Sequence, residues 1–118
     1  MIGVTMQSSE LIRWAEKHQI EGILHVLKNQ NYSDVKEALL HLKTLNASHK
    51  RLDSLPNCLF DLSSLEILNL SHNQLTELPQ EIIRLKKLKI LDISWNHITH
   101  TIDFLPSHIK IKKAWNRQ

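Results

Sequence analysis

Several residue types that mark other protein classes are scarce in this 118-residue sequence. It contains one cysteine, two glycines and three prolines, and aromatic residues make up only 5% of it. One cysteine, Cys58, excludes an internal disulfide framework, and so little glycine and proline excludes collagen-like and low-complexity chains. No apolar run approaches the roughly 20 residues that span a bilayer, and the first residues do not resemble an export signal. We therefore expect one small domain with no transmembrane segment, in a reducing compartment such as the cytoplasm.

Leucine and isoleucine are abundant instead, with 20 and 13 copies, and they recur with a fixed period. Three segments that begin LKTLN, LEILN and LKILD start 23 residues apart, which divides the chain into repeats at residues 42–64, 65–87 and 88–110. Of the 21 positions that would point inward, 19 are apolar, whereas the 42% apolar composition would place about nine there by chance. The two exceptions are Thr101 and His108. Since no straight helix or strand puts these positions on one face, the pattern predicts stacked coils around a common core.

The pattern L-x-x-L-x-L-x-x-N-x-L-x-x-L-P resembles the leucine-rich repeat, and its 23-residue length resembles the cytoplasmic class of that family, including small bacterial members. The resemblance covers residues 42 to about 110. It implies an α/β fold, a right-handed solenoid with a short parallel β-sheet on its concave face. Strands are expected near residues 44–47, 67–70 and 90–93, and helical or 3₁₀ segments are expected near 57–62 and 80–85.

Asparagine and proline recur at fixed positions in the repeats. Asn73 and Asn96 stand where the chain would leave a strand, and a carboxamide there can bond backbone groups that would otherwise be buried without partners. The first repeat has Lys50 at this position, so the asparagine ladder begins with the second repeat. Pro56 and Pro79 have no N–H to donate, and each predicts a change of direction into the returning segment.

Residues 1–41 carry no repeat and are predicted to form a helical N-terminal cap on the first coil. The spacing of Leu11, Trp14, Ala15 and His18 predicts one helix, with Ser8 or Ser9 as its N-cap and Gly22 as a break. A second helix is expected to start near Ser33, and the apolar stretch between the two also has helical character. The second helix would direct Val35, Ala38, Leu39 and Leu42 toward the core. A separate helical binding surface is the alternative role for this segment.

Residues 111–118 are expected to form a partial last turn or a tail, in one of two registers. Continuing the 23-residue period puts Ile111 at the first position of a fourth coil. The alternative aligns Trp115 with Trp95 at a spacing of 20, and the sequence leaves both open.

The outward positions of the strands are the least constrained by packing, so a binding surface is expected there. An apolar strip with a polar rim is typical of a protein-binding site. The alternative is that β-branched residues only suit a strand. The predicted partner-binding residues are Ile67, Asn69, His72, Ile90, Asp92 and Trp95. We expect a non-catalytic adaptor that binds a protein partner of unknown identity through the concave face.

A second candidate site is a basic cluster, which consists of Arg84, Lys86, Lys87, Lys89, Lys110, Lys112 and Lys113. The period predicts that Lys87 lies beside Lys110 and that Lys89 lies beside Lys112, about 5 Å away on the next coil. Such a cluster would suit an anionic partner, namely an acidic protein, a lipid headgroup or nucleic acid. Nucleic acid is the least expected of the three, since the net charge is only +3 and no nucleic-acid-binding motif is present. An ordinary solvated face, with Glu66 offsetting part of the charge, is the alternative.

The remaining reactive residues suggest no chemistry. The eight histidines lack the third and fourth ligands of a zinc site, and Cys58 has no neighbouring base, so no catalytic residue, metal or cofactor is expected.

A third possible function is self-assembly through the C-terminal turn, which would make the protein a weak homodimer instead of a monomer. That turn would use Ile109, Ile111 and Trp115. Since the family includes bacterial effectors, action inside a host cell is the alternative to a free-standing cytoplasmic protein.

Overall fold

Three helices precede four short strands in a computed structural model that describes residues 8–31, 34–99 and 102–114. The helices are α1 (Ser8–His18), α2 (Glu21–Asn29) and α3 (Val35–Leu40). The strands are β1 (Thr44–Asn46), β2 (Ile67–Asn69), β3 (Ile90–Asp92) and β4 (Lys110–Lys112). Two 3₁₀ segments, Asn57–Asp61 and Gln80–Arg84, return between the strands.

The strands form one parallel sheet in the order β1-β2-β3-β4. The register pairs Leu45 with Leu68 and Leu68 with Leu91, which keeps the repeats 23 residues apart through β3. These three leucines are buried, whereas their neighbours on each strand are more exposed, because successive side chains point to opposite faces. The predicted strands and 3₁₀ segments are confirmed, with each strand one residue shorter than expected.

The helices confirm the helical prediction for the N-terminal segment but move its break. Helix α1 ends at His18, and the next residue, Gln19, adopts a left-handed conformation with φ of 55°. Gly22 therefore lies inside α2 and is not the break. A Cβ at Gly22 would lie 3.2 Å from Leu45 Cδ1, so the glycine allows α2 to approach β1 closely.

The predicted inward faces of the helices are largely correct. Leu11, Ala15, Val35 and Leu39 are buried in the same core as the repeats, while the other predicted inward side chains are half-buried. Ser9 is the second residue of α1, so it is not the N-cap, and Ser33 lies outside the described residues. No described helix is long and apolar enough to cross a membrane.

The asparagine ladder is present as predicted. Asn73 is buried, and its Oδ1 accepts hydrogen bonds from the backbone N–H groups of Lys50 and Leu52, each at 3.0 Å. Its Nδ2 donates to the carbonyl oxygens of Ala47, Leu70 and Ser71. One coil later, Asn96 Oδ1 accepts from the N–H of Leu75, and its Nδ2 donates to the carbonyl oxygens of Leu70, Ile93 and Ser94. Each carboxamide thus joins two adjacent coils by hydrogen bonds to backbone groups that lie beyond the ends of the strands.

The last strand corrects the register at the C-terminal end. β4 pairs Ile111 with Leu91, a spacing of 20, and the N–H of Trp95 donates to the carbonyl of Ala114 at 2.9 Å. The 23-residue continuation is therefore wrong, and the 20-residue alternative holds as far as Ala114, the last described residue. The third repeat is three residues shorter than the predicted 88–110.

The chain just before β4 shows why His108 broke the apolar pattern. The N–H of Ile109 donates to Pro106, as that of Leu88 donates to Leu85, and Ile109 is buried. At the 20-residue spacing of β3 and β4, His108 would correspond to Leu88, so the inward position before β4 has shifted by one residue, from His108 to Ile109. His108 is exposed and is not an inward position. Thr101, the other exception, lies outside the described residues.

Candidate functional site

The sheet face is defined as the side of the sheet opposite its buried leucines. It presents the outer residues of all four strands. The middle of this face is apolar, because Ile67 pairs in register with Ile90. Ile67 is 40% exposed and Ile90 is half-buried. The sheet face is lined by Thr44, Asn46, Ile67, Asn69, Ile90, Asp92, Lys110 and Lys112.

Asn69 and Asp92, two of the predicted rim residues, also have a local structural role. Oδ1 of Asn69 accepts hydrogen bonds from the N–H of Ser71 at 2.9 Å and from its Oγ at 2.7 Å. Oδ1 of Asp92 accepts from the N–H of Ser94 at 3.0 Å, and Asn46 makes the same turn with Ser48. These side chains close the turn that follows each strand. The Oδ1 atom of each side chain is therefore engaged in a structural hydrogen bond.

Beyond that turn, three rings form a stack along the edge of the sheet face. The ring centroids of His49 and His72 are 4.1 Å apart with planes 13° from parallel, and those of His72 and Trp95 are 5.4 Å apart at 11°. All three residues are exposed, and Trp95 is 48% exposed. We call His49, His72 and Trp95 the ring stack.

The ring stack depends on an uncommon backbone conformation. His49, His72 and Trp95 have φ of 58°, 57° and 59°, which is the left-handed region that residues with a β-carbon seldom occupy. The N–H of His72 donates to Ser94 and the N–H of Trp95 to Ala114, so each turn is held by the next coil. The repeated turn therefore aims each ring in the same direction. The sequence placed these residues at one repeat position but carried no sign of the stacking.

The basic cluster is divided in the structure. Arg84 forms an ion pair with Asp61 on the preceding coil, and Lys89 Nζ lies 3.5 Å from Glu66 Oε1. The offsetting role expected for Glu66 is thus present. Lys86 and Lys87 lie exposed in the turn before β3.

The predicted pairs of stacked lysines are wrong because β4 follows the shorter register. Lys110 lies beside Ile90 and Lys112 lies beside Asp92, so neither is next to Lys87 or Lys89 in the strand register. Both lysines stand on the sheet face at its β4 edge, where the candidate protein-binding residues lie. Lys113 directly follows that strand and is exposed.

The other reactive groups are structural. Cys58 is buried, and burial together with the nearby charge of Glu10 raises the pKa of its thiol to about 11 from 9.0, which makes it a poor nucleophile. Within the described ranges, no three His, Cys, Asp or Glu side chains are grouped so as to hold a metal ion. Of the residues expected in a self-assembling C-terminal turn, Ile109 is buried in the core and Trp115 lies outside the described residues.

Stacked coils, a parallel sheet and an asparagine ladder define a repeat protein whose outward sheet positions are free of core packing. The family model for a leucine-rich repeat region matches residues 18–111. The chain belongs to the leucine-rich repeat family. Such regions generally mediate protein–protein interaction and are typically not catalytic. No curated protein matches the chain.

Proposed function

We propose that this protein is a non-catalytic interaction module that binds a partner protein through the sheet face. The observation that carries this proposal is the exposure of Ile67 on the sheet face and of Trp95 in the turn that follows β3. They are two of the three large apolar side chains that are exposed in the described part of the chain. Ile67 lies beside Ile90 in the sheet, and an exposed apolar patch usually marks a contact site.

The surroundings of these apolar groups support the same function. Anchor residues in protein interfaces are commonly aromatic and lie beside a polar rim, and Trp95 and Ile67 would be such anchors beside Asn69 and Asp92. The ring stack would add a flat edge against which a partner side chain could pack. Because His72 lies between two other rings, its position is well defined before any partner binds.

The N-terminal helices have a different role in this proposal, as a cap on a right-handed solenoid. Helix α2 packs on β1, and α1 packs on the 3₁₀ segment Asn57–Asp61, so both cover the first coil. A stacked-repeat core needs such a cover because its terminal coil would otherwise expose apolar surface. Cytoplasmic action is the compartment we propose, because the one thiol, Cys58, is buried and unpaired. Action as an effector in a host cell is the alternative.

The test compares two glutamate substitutions at equally exposed isoleucines. Ile67 on the sheet face is 40% exposed and Ile83 in the 3₁₀ segment is 41% exposed. Wild type, Ile67→Glu and Ile83→Glu are used to capture proteins from source-cell lysate at low and moderate salt, after circular dichroism shows that each is folded. The captured proteins are compared by mass spectrometry.

We expect a protein that wild type and Ile83→Glu retain at moderate salt and that Ile67→Glu loses. Trp95→Ala should weaken the same complex by about 2 kcal/mol or more if the indole is an anchor. Equal capture by folded Ile67→Glu and wild type would refute binding through the sheet face. Capture of lipid or nucleic acid that disappears with salt would assign the function to the exposed lysines instead.

A further inference from the structure

The β4 register changes the chemistry of the sheet face, and with it the kind of partner that fits. Lys110 stands next to Ile90 in the sheet, and Ile90 stands next to Ile67. The face therefore runs from an apolar middle to a basic edge. We propose that it binds a peptide segment of the partner that carries large apolar side chains beside acidic ones; this inference rests on the proposed function.

The two lysines at this edge are available for a partner's carboxylates. Neither Lys110 nor Lys112 takes part in an ion pair within the described part of the chain, unlike Lys89, which pairs with Glu66. Both are exposed. Two unpaired cations beside an apolar surface attract an anionic group and disfavour a basic one.

Asp92 moderates this charge without removing it. It pairs in register with Lys112, and one of its oxygens accepts the hydrogen bond from Ser94. Lys110 has an isoleucine as its β3 neighbour, so no acidic side chain lies beside it on that strand. The acidic group of a bound segment is therefore expected closest to Lys110.

The spacing of strands sets the spacing of the partner's residues. Neighbouring strands are about 4.8 Å apart, so Lys110 lies about 10 Å from Ile67 across the face. An extended chain rises about 3.3 Å per residue, so a segment that crosses the strands covers this distance in about three residues. Since alternate side chains of an extended segment face the same way, the expected motif has an apolar residue over Ile67 and an acidic residue two or four positions away.

The opposite edge of the sheet face differs in charge. Beside β1 lies a cavity of about 460 Å³, which is lined by Glu21 and Lys50 together with Gly22, Thr44, Asn46 and Ser48. Its two charged side chains have opposite signs, so this edge has no net preference for an anion. The contrast gives a bound segment one preferred direction, with its acidic residues toward β4.

The probe for the experiment is a phage-displayed library of random dodecapeptides, selected on the immobilised full chain. Four proteins are compared: wild type, Ile67→Glu, the double variant Lys110→Glu with Lys112→Glu, and the double variant Lys86→Glu with Lys87→Glu. The last is a matched control, because it makes the same change of charge at two exposed lysines in the turn before β3. Circular dichroism confirms that each variant is folded.

We expect wild type and the Lys86/Lys87 control to enrich peptides with an apolar residue and an acidic residue two or four positions apart. The Lys110/Lys112 variant should lose the acidic preference, and its affinity for a selected acidic peptide should fall about tenfold. Ile67→Glu should lose these peptides altogether.

The failures of the two proposals are distinguishable. Peptides that Ile67→Glu loses but that show no acidic preference would overturn this inference and leave the proposed function standing. Acidic peptides that depend on Lys86 and Lys87 and not on Ile67 would overturn both proposals. Failure of the library to enrich any peptide on wild type would overturn the inference that one continuous segment is recognised.

Discussion

The imidazole rings of His49 and His72 lie 4.1 Å apart and nearly parallel, although 23 residues separate them in the chain. Two features bring them together, namely the equal length of the first two repeats and a turn that gives both residues a left-handed backbone. The residues that form this part of the candidate binding surface are thus also the residues whose backbone forms the turn. Any test of binding at these residues must separate lost contact from lost turn geometry.

We expect Asn73→Ala to be among the most destabilising single substitutions in the chain. It would leave several backbone groups of two coils buried without partners, at a cost of about 2–4 kcal/mol in the free energy of unfolding. Urea denaturation measures the loss. Asn46→Ala is the control, because Asn46 is exposed and closes only a local turn, and it should cost about 1 kcal/mol or less. Equal losses for the two variants would contradict the role assigned to the ladder.

Cys58 should resist alkylation while the protein is folded. At pH 8, a thiol with a pKa of about 11 has about 100-fold less thiolate than one at its ordinary value of 9.0. Iodoacetamide should therefore modify the folded protein slowly and the urea-unfolded protein at an ordinary rate, as followed by mass spectrometry. Rapid modification under native conditions would mean that the thiol is not buried.

The same thiol should make the folded protein less stable at high pH. Between pH 9 and 11 the unfolded chain loses the Cys58 proton while the folded chain retains it, so the free energy of unfolding falls as pH rises. Cys58→Ala lacks this proton. Its stability, measured by urea denaturation, should fall less steeply than that of wild type across this range, and parallel curves would contradict the prediction.

Two ion pairs that join neighbouring coils should differ in strength. The Asp61 side chain is only 10% exposed in its pair with Arg84, whereas Glu66 and Lys89 are 32% and 69% exposed. Screening by water weakens the second pair more. Double-mutant cycles with alanine, followed by denaturation, should give about 1 kcal/mol for Arg84 with Asp61 and about 0.3 kcal/mol for Lys89 with Glu66. The reverse order would show that burial does not govern these pairs.

Asp92→Asn should leave stability unchanged and strengthen the binding of acidic peptides. Asn46 and Asn69 already close the same turn with their Oδ1 atoms, so asparagine at this position retains the turn. The substitution removes a negative charge beside Lys112, and the affinity for an acidic peptide should rise about threefold in a fluorescence anisotropy titration. Weaker binding by a variant of normal stability would mean that Asp92 itself contacts the partner.

Much of the fold could be predicted because the same residue pattern occurs in more than one repeat. The alignment of the first two repeats with the start of the third predicted the strands, the buried leucines and the bonds of Asn73. The helical segment had no such redundancy. There, Gly22 suggested a break on propensity alone, whereas close packing against Leu45 explains the glycine and the chain turns at Gln19.

The candidate site was less predictable than the fold because it depends on register and on side-chain geometry. Lys110 was assigned to a basic cluster by extending the period of 23, and pairing of β4 at a spacing of 20 moved it onto the sheet face. Two signs in the sequence pointed to this change of period: His108 at an expected inward position, and the alignment of Trp115 with Trp95 at a spacing of 20. The stacking of His72 between two rings had no such sign, since composition and spacing do not encode ring orientation.

The asparagine ladder also has a direction, which matters during synthesis. Asn73 accepts hydrogen bonds from the N–H groups of Lys50 and Leu52, which precede it by 23 and 21 residues. It donates to the carbonyl oxygen of Ala47, which precedes it by 26 residues. Asn96 stands in the same relation to the second coil. As the ribosome extends the chain, each finished coil must wait for about one more repeat to emerge before its buried amides acquire partners. A stalled or truncated chain would therefore leave the coil at its end without these hydrogen bonds.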